Sequence, residues 1–146
     1  MTIVPLISSG TAGPLGVLHL PRLWQKVSLE QRGILASGYP GVGKGYDQMV
    51  LDALALNKDA VVGFIKTQRP TYPQFEAWVK KQPGVKLDKV TVDKCNAAVV
   101  DYHHDDATRK GILSAAGLKD DGRFKDAVTL NAFDDWTEAH RSAVKG

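Results

Sequence analysis

Cys95 is the only cysteine in the 146 residues, so the chain can form no internal disulfide and no cysteine-based zinc cluster. A lone thiol of this kind suits a reducing compartment. No stretch approaches the run of about 18 apolar residues that a membrane span requires. The opening "MTIVPLISSGTAGPLG" has neither the basic start nor the compact apolar segment of a secretory leader. Charge of one sign is also scarce. The 19 basic and 16 acidic residues leave a net charge of +3, and no basic run exceeds two residues. Nucleic-acid binding calls for basic residues concentrated on one face, so that class of partner is not expected. The expectation is a cytoplasmic protein with no membrane partner.

What is present reads as helix after helix, punctuated by Gly, Pro and Asp. Residues 1–17 are apolar but interrupted by Pro5, Gly10, Gly13, Pro14 and Gly16, which predicts an extended arm laid across the domain. "HLPRLWQKV" then sets Leu20, Leu23, Trp24 and Val27 at helical spacing, with Pro21 in the first turn where its missing N–H costs nothing. Ser28 and Gln31 have capping-box spacing and would allow a restart there. Another helix opens near Tyr46. Asn57 caps the next, Pro70 stops it, and Thr71 with Gln74 repeats the capping-box spacing. A longer helix from about Leu87 to Tyr102 carries Val92, Cys95, Val99 and Tyr102 on one face. Asp105 or Asp106 caps a further helix that Gly117 closes, and the last helix holds Leu130, Phe133, Trp136, Thr137 and His140 on neighbouring turns. No alternating strand pattern stands out. The predicted fold is all-α: one compact domain over 1–146, a bundle of six to seven short helices with an N-terminal arm. Trp24, Phe64, Ile65, Phe75, Trp78, Val99, Leu113 and Phe133 are the expected core.

"SGYPGVGKGYDQ", residues 37–48, has the glycine–lysine spacing of a phosphate-binding P-loop. Its context argues otherwise. Gly45 stands where a Ser or Thr must bind magnesium, and no buried strand precedes the loop. Nucleotide hydrolysis is therefore not expected. The glycine N–H groups, Lys44 and the helix start at Tyr46 still suggest a cradle for a simple anion.

The densest chemical cluster is His19, Arg22, Lys44, Tyr46 and Asp47. His19 and Arg22 are three apart at one helix start, and Tyr46 and Asp47 open another. His19, Tyr46 and Asp47 are candidate catalytic acid–base groups, while Arg22 and Lys44 are candidate binders of an anionic substrate. The plain alternative is an Arg22–Asp47 ion pair with a structural role. "YHHDD" at 102–106 invites a metal reading, but neighbouring residues on a helix point about 100° apart and the i, i+4 spacing of a helical zinc site is missing. No metal and no cofactor are expected. Cys95 falls on an apolar stripe and reads as a small core residue.

"GPLGVLHLPRLWQKV", "GYDQMVLDALAL" with the helices through "FEAWVKK", and "LNAFDDWTEAH" together resemble a bacterial domain-of-unknown-function family. Its members carry HLPR-like, YDQ-like and LDDWxxH-like motifs. The resemblance runs from about Gly13 to His140 and implies a small helical cytoplasmic protein, without assigning an activity. Two functions fit the residues. One is a small-molecule-binding protein acting as a cofactor-independent lyase, isomerase or hydrolase on a small anionic substrate. The other is a protein–protein interaction module that docks a partner through Trp24, Trp78 or Trp136.

Overall fold

The structure, a computed structural model, describes residues 1–145. Seven α-helices follow one another: α1 (Leu20–Gln31), α2 (Tyr46–Leu54), α3 (Lys58–Gln68), α4 (Tyr72–Lys80), α5 (Lys89–Asp101), α6 (Asp106–Ala115) and α7 (Ala127–Ala139). A π-helical segment, His140–Lys145, extends α7. Among the described residues there is no strand, only isolated bridges such as Ile3 with Leu35. The fold is an all-α bundle.

Side-chain caps set most helix starts, because the first N–H groups of a helix have no partner within it. Asn57 accepts from Ala60 N, Thr71 and Gln74 form a complete capping box, and Asp88, Asp105 and Asp126 cap α5, α6 and α7. The capping-box spacing at Ser28 and Gln31 has no such effect. α1 runs through it unbroken, since Ser28 lies within a continuous amphipathic helix whose other residues bury Leu20, Leu23 and Val27. α5 ends at Asp101, so Tyr102 stands just beyond the helix rather than on its buried stripe.

α1 is the centre of the packing. It lies against α2, α3 and α4; α2 packs on α5, α5 on α7, and α7 on α6. The core is a continuous cluster through Leu20, Leu23, Val50, Leu51, Leu54, Ile65, Phe75, Val79 and Val99. Ile65, Phe75, Val99 and Leu113 are buried as expected. Trp24, Phe64 and Trp78 cover that core from its edge, with the Phe64 and Trp78 rings stacked 4.6 Å apart. Phe133 belongs to a separate aromatic group with Phe124 and Trp136, because α7 turns this side toward solvent. Trp136 itself is 60% exposed.

The first 19 residues form the arm, and its backbone polar groups need partners that no helix supplies. Side chains from three helices provide them. Gln25 of α1 accepts from Ile7 N (3.1 Å), Glu76 of α4 from Leu15 N (3.2 Å), and Asn96 of α5 from Leu18 N (2.9 Å). Glu76 also accepts from the Tyr72 hydroxyl at 2.6 Å. Gly13 lies directly over this pair: a Cβ there would strike the Tyr72 ring and come within 2.6 Å of a Glu76 oxygen. Gly13→Ala is expected to destabilise the fold by about 1–3 kcal/mol, the cost of overpacking a filled site. Urea denaturation measures this as a lower midpoint with an unchanged slope.

Candidate functional site

Asp47 sits in the first turn of α2 and is 2% exposed. Its Oδ1 accepts from His19 Nε2 at 2.6 Å; its Oδ2 accepts from Lys26 Nζ at 2.5 Å and from Gly43 N at 2.7 Å. His19, at the N-cap of α1, is 1% exposed and takes a left-handed backbone conformation with φ 73°. That conformation is uncommon for a residue with a Cβ, and it persists here where both ring nitrogens are engaged. With Nε2–H donated to the carboxylate, Nδ1 is left to accept from the Ser9 hydroxyl at 2.9 Å. Ser9, His19 and Asp47 thus form a directed chain ending at a carboxylate that also holds Lys26.

Burial is the largest influence on His19 and lowers its pKa, with Lys26 and Arg22 adding to the effect against the opposing pull of Asp47. For Asp47, burial alone would raise the pKa. The His19 hydrogen bond and the Lys26 charge outweigh it and hold the carboxyl below its ordinary value. The order hydroxyl–imidazole–carboxylate is that of a hydrolase triad. Ser9, however, is 1% exposed and does not line the neighbouring cavity. Its hydroxyl fixes the imidazole rather than meeting a substrate.

Arg22, one turn along α1, makes a second buried pair. Its NH1 and NH2 donate to Asp135 of α7 at 2.6 and 3.0 Å, and NH1 also donates to Ile7 O at 2.9 Å. Tyr39 completes the group by donating its hydroxyl to Asp135 at 3.0 Å. The expected Arg22–Asp47 pairing is not formed. Asp135, 113 residues away, takes the guanidinium edge instead, so Arg22 has little of its fork left for an external anion.

Between these two networks lies an open cavity of about 270 Å³. Its lining includes all five residues singled out in the sequence: His19, Arg22, Lys44, Tyr46 and Asp47. It also includes Lys26, Tyr39, Tyr102, His104, Asn131 and Asp134, which sequence reasoning did not assign to the site. Tyr46 donates its hydroxyl to Val99 O at 2.7 Å, and burial, with Asp126 and Tyr102 nearby, pushes that hydroxyl's pKa up. It therefore offers the cavity a ring face more than a proton. His104 donates Nε2–H to Asn131 Oδ1 at 2.7 Å, which leaves its Nδ1 without a protein partner among the described residues. The glycine loop is less of a cradle than its spacing suggests. Gly41 N is taken by Glu30 and Gly43 N by Asp47, so two of its N–H groups already serve protein carboxylates.

Three features lie elsewhere. Trp24, Trp78 and Trp136 are all absent from this cavity. Cys95 is buried, and burial raises its thiol pKa. Among the described residues no group of three or more His, Cys, Asp or Glu is placed to hold a metal ion, and no helix is long and apolar enough to cross a membrane. Compared with family models, curated proteins and solved structures, the chain matches none.

Two outcomes follow from the networks. Arg22→Ala leaves Asp135 buried without its cation and should cost about 3–5 kcal/mol by urea denaturation. His19 and Asp47 both have lowered folded-state pKa values, so the unfolded chain binds protons more readily. The His19 contribution to stability is full above about pH 6.5 and falls as the pH drops from there toward its depressed folded value. Asp47 adds a further loss below its ordinary range near 4. His19→Gln should flatten the upper part of the profile, read from melting temperatures between pH 5 and 7.

Proposed function

We propose that the protein binds a small anionic molecule in the cavity between α1, α2 and α7, and that it acts on this ligand as a cofactor-independent enzyme of the lyase, isomerase or hydrolase kind. The observation that carries the reading is Lys26. It is 6% exposed, lines the cavity, and makes a single hydrogen bond among the described residues, to Asp47. An ammonium group has three donors. Two remain in a setting of low dielectric, where a ligand carboxylate or phosphate is their natural complement.

Lys44, exposed at the loop, adds a second cation to the lining, while Arg22 holds Asp135 and the arm in place behind it. In this reading the proton-exchanging groups are His104, through its unpartnered Nδ1, and the His19–Asp47 chain acting through Lys26. Tyr46 contributes its ring, tilted 46° against that of Tyr102 with the centroids 4.9 Å apart. The location proposed is cytoplasmic, in keeping with a single buried thiol.

The test is a thermal-shift titration with inorganic phosphate and a panel of small mono- and dicarboxylates. A true ligand at a hundredfold excess over its Kd should add about 2.7 kcal/mol of stability. Lys44→Ala, an exposed change that leaves the fold intact, should weaken the binding about tenfold, as loss of a charge-assisted contact does. No response from any anion in the panel would remove the basis for this reading.

The interaction-module reading retains one favourable observation. Trp136 and Leu6 are both exposed and flank a shallow cavity with Val128 and Ala132. Aromatic anchors of this type recur in protein interfaces. Binding of a protein partner that is lost in Trp136→Ala but kept in Lys44→Ala would favour it.

A further inference from the structure

We infer that the ligand is an amino-acid-like zwitterion, its anionic group held beside Lys26 and Lys44 and its ammonium group beside Asp134. The anionic half rests on the function proposed above; the cationic half rests on α7.

The charges on the cavity wall can be paired off. Lys26 is matched by Asp47, and Arg22 by Asp135. Two lining charges remain without an ion-pair partner among the described residues: Lys44 on the glycine loop and Asp134 on α7. They are of opposite sign. A cavity that wanted only an anion would gain nothing from a carboxylate on its wall, and that carboxylate would repel the ligand.

Asp134 is unusual among the acids drawn out of water. Asp47 accepts three hydrogen bonds, Asp135 is gripped by Arg22 and Tyr39, and Glu76 takes the Tyr72 hydroxyl and Leu15 N. Asp134 is half-buried, and its carboxylate accepts no hydrogen bond among the described residues. Burial, with Asp135 and Glu138 close by, pushes its pKa up, and Arg22 and Arg141 offset this only in part. Both arginines are committed, to Asp135 and to Glu138. A ligand ammonium would supply what the protein withholds.

The groups around Asp134 suit the same end of a ligand. His104 presents an unpartnered ring nitrogen, and the rings of Tyr39 and Tyr102 share the lining. Aromatic faces attract ammonium groups. Lys26 and Lys44, on the same lining, carry donors only. The lining thus offers groups for both charges, and at about 270 Å³ the cavity suits a metabolite rather than a polymer.

The experiment uses the full chain and three probe sets at matched ionic strength. These are acetate and inorganic phosphate as anions, ethylammonium as a cation, and glycine, β-alanine, γ-aminobutyrate and taurine as zwitterions of graded length. Affinity is read by thermal shift and calorimetric titration. At least one zwitterion should bind ten or more times tighter than either single-charge probe. Asp134→Asn should erase that preference while leaving phosphate affinity unchanged or improved, and should melt no lower than the parent at pH 7, because it removes a charge that burial disfavours. Lys44→Ala should weaken anions and zwitterions alike. If anions bind as tightly as zwitterions, or Asp134→Asn leaves zwitterion affinity untouched, the zwitterion inference falls and the anion reading stands. If no probe binds, both fall.

Discussion

The Asp47 carboxylate is the point on which the rest of the structure turns. A charge taken this far from water is costly unless it is paired and hydrogen-bonded on each side. Here each donor comes from a different part of the chain: His19 from the end of the arm, Lys26 from the middle of α1, and Gly43 from the loop before α2. Position in the first turn of α2 adds the favourable end of a helix dipole. Meeting these demands together fixes the loop, the angle between α1 and α2, and the left-handed turn at His19. A non-glycine residue in that turn costs about 1–3 kcal/mol. The hydrogen bonds made at both of its ring nitrogens, one donated and one accepted, are what offset it.

The Arg22–Asp135 pair does the corresponding work for the other half of the bundle. It fastens α7 to α1 and, through Ile7 O, pins the arm between them. α7 has few other ties to α1, so without this pair its face would be free to shift relative to the Asp47 network. The cavity is the gap these two anchored elements leave, and its polarity follows from their chemistry. Groups held by buried pairs cannot easily reorient. Charges arriving on a ligand would therefore meet dipoles already aimed at them, which is the arrangement that makes electrostatic stabilisation effective.

Local features of the fold were legible in sequence, and long-range ones were not. Asn57, Thr71 with Gln74, and Asp105 announce helix starts because a cap is a property of four consecutive residues. The arm was readable from its prolines and glycines. His19 and Asp47 were legible as members of one cluster because each opens a helix, but the sequence offered Arg22 as the partner of Asp47, and only the approach of α2 to the arm brings His19 to it. Lys26 was hidden: it occupies a polar slot in a helical pattern, and only the approach of α2 makes it buried. Asp135 was hidden more deeply. "DDW" reads as the solvated side of a helix or as pocket lining, and nothing within α7 reveals that one aspartate turns inward to Arg22 while its neighbour lines the cavity. Phe133 misled in the opposite direction: its helical spacing placed it in the expected core, and it lies half-buried in the satellite aromatic group with Phe124 and Trp136.

Ser9 shows how burial decides what a familiar constellation can do. In a hydrolase the hydroxyl must reach a carbonyl carbon, and the imidazole must be free to take its proton and hand it on. Ser9, within the arm, is sealed from solvent and His19 is clamped at both nitrogens. The hydroxyl has a different virtue: it can donate or accept. While His19 is neutral, Ser9 donates to Nδ1. Were the imidazole to take up a proton, Nδ1 would become a donor and the same hydroxyl could accept from it without any movement of the backbone. A backbone N–H or a lysine in that place would permit only the neutral ring, and a carbonyl only a protonated Nδ1. Serine leaves the direction of that one hydrogen bond reversible, so both ring nitrogens keep a partner in either protonation state, while burial beside Lys26 and Arg22 sets the cost of charging the ring.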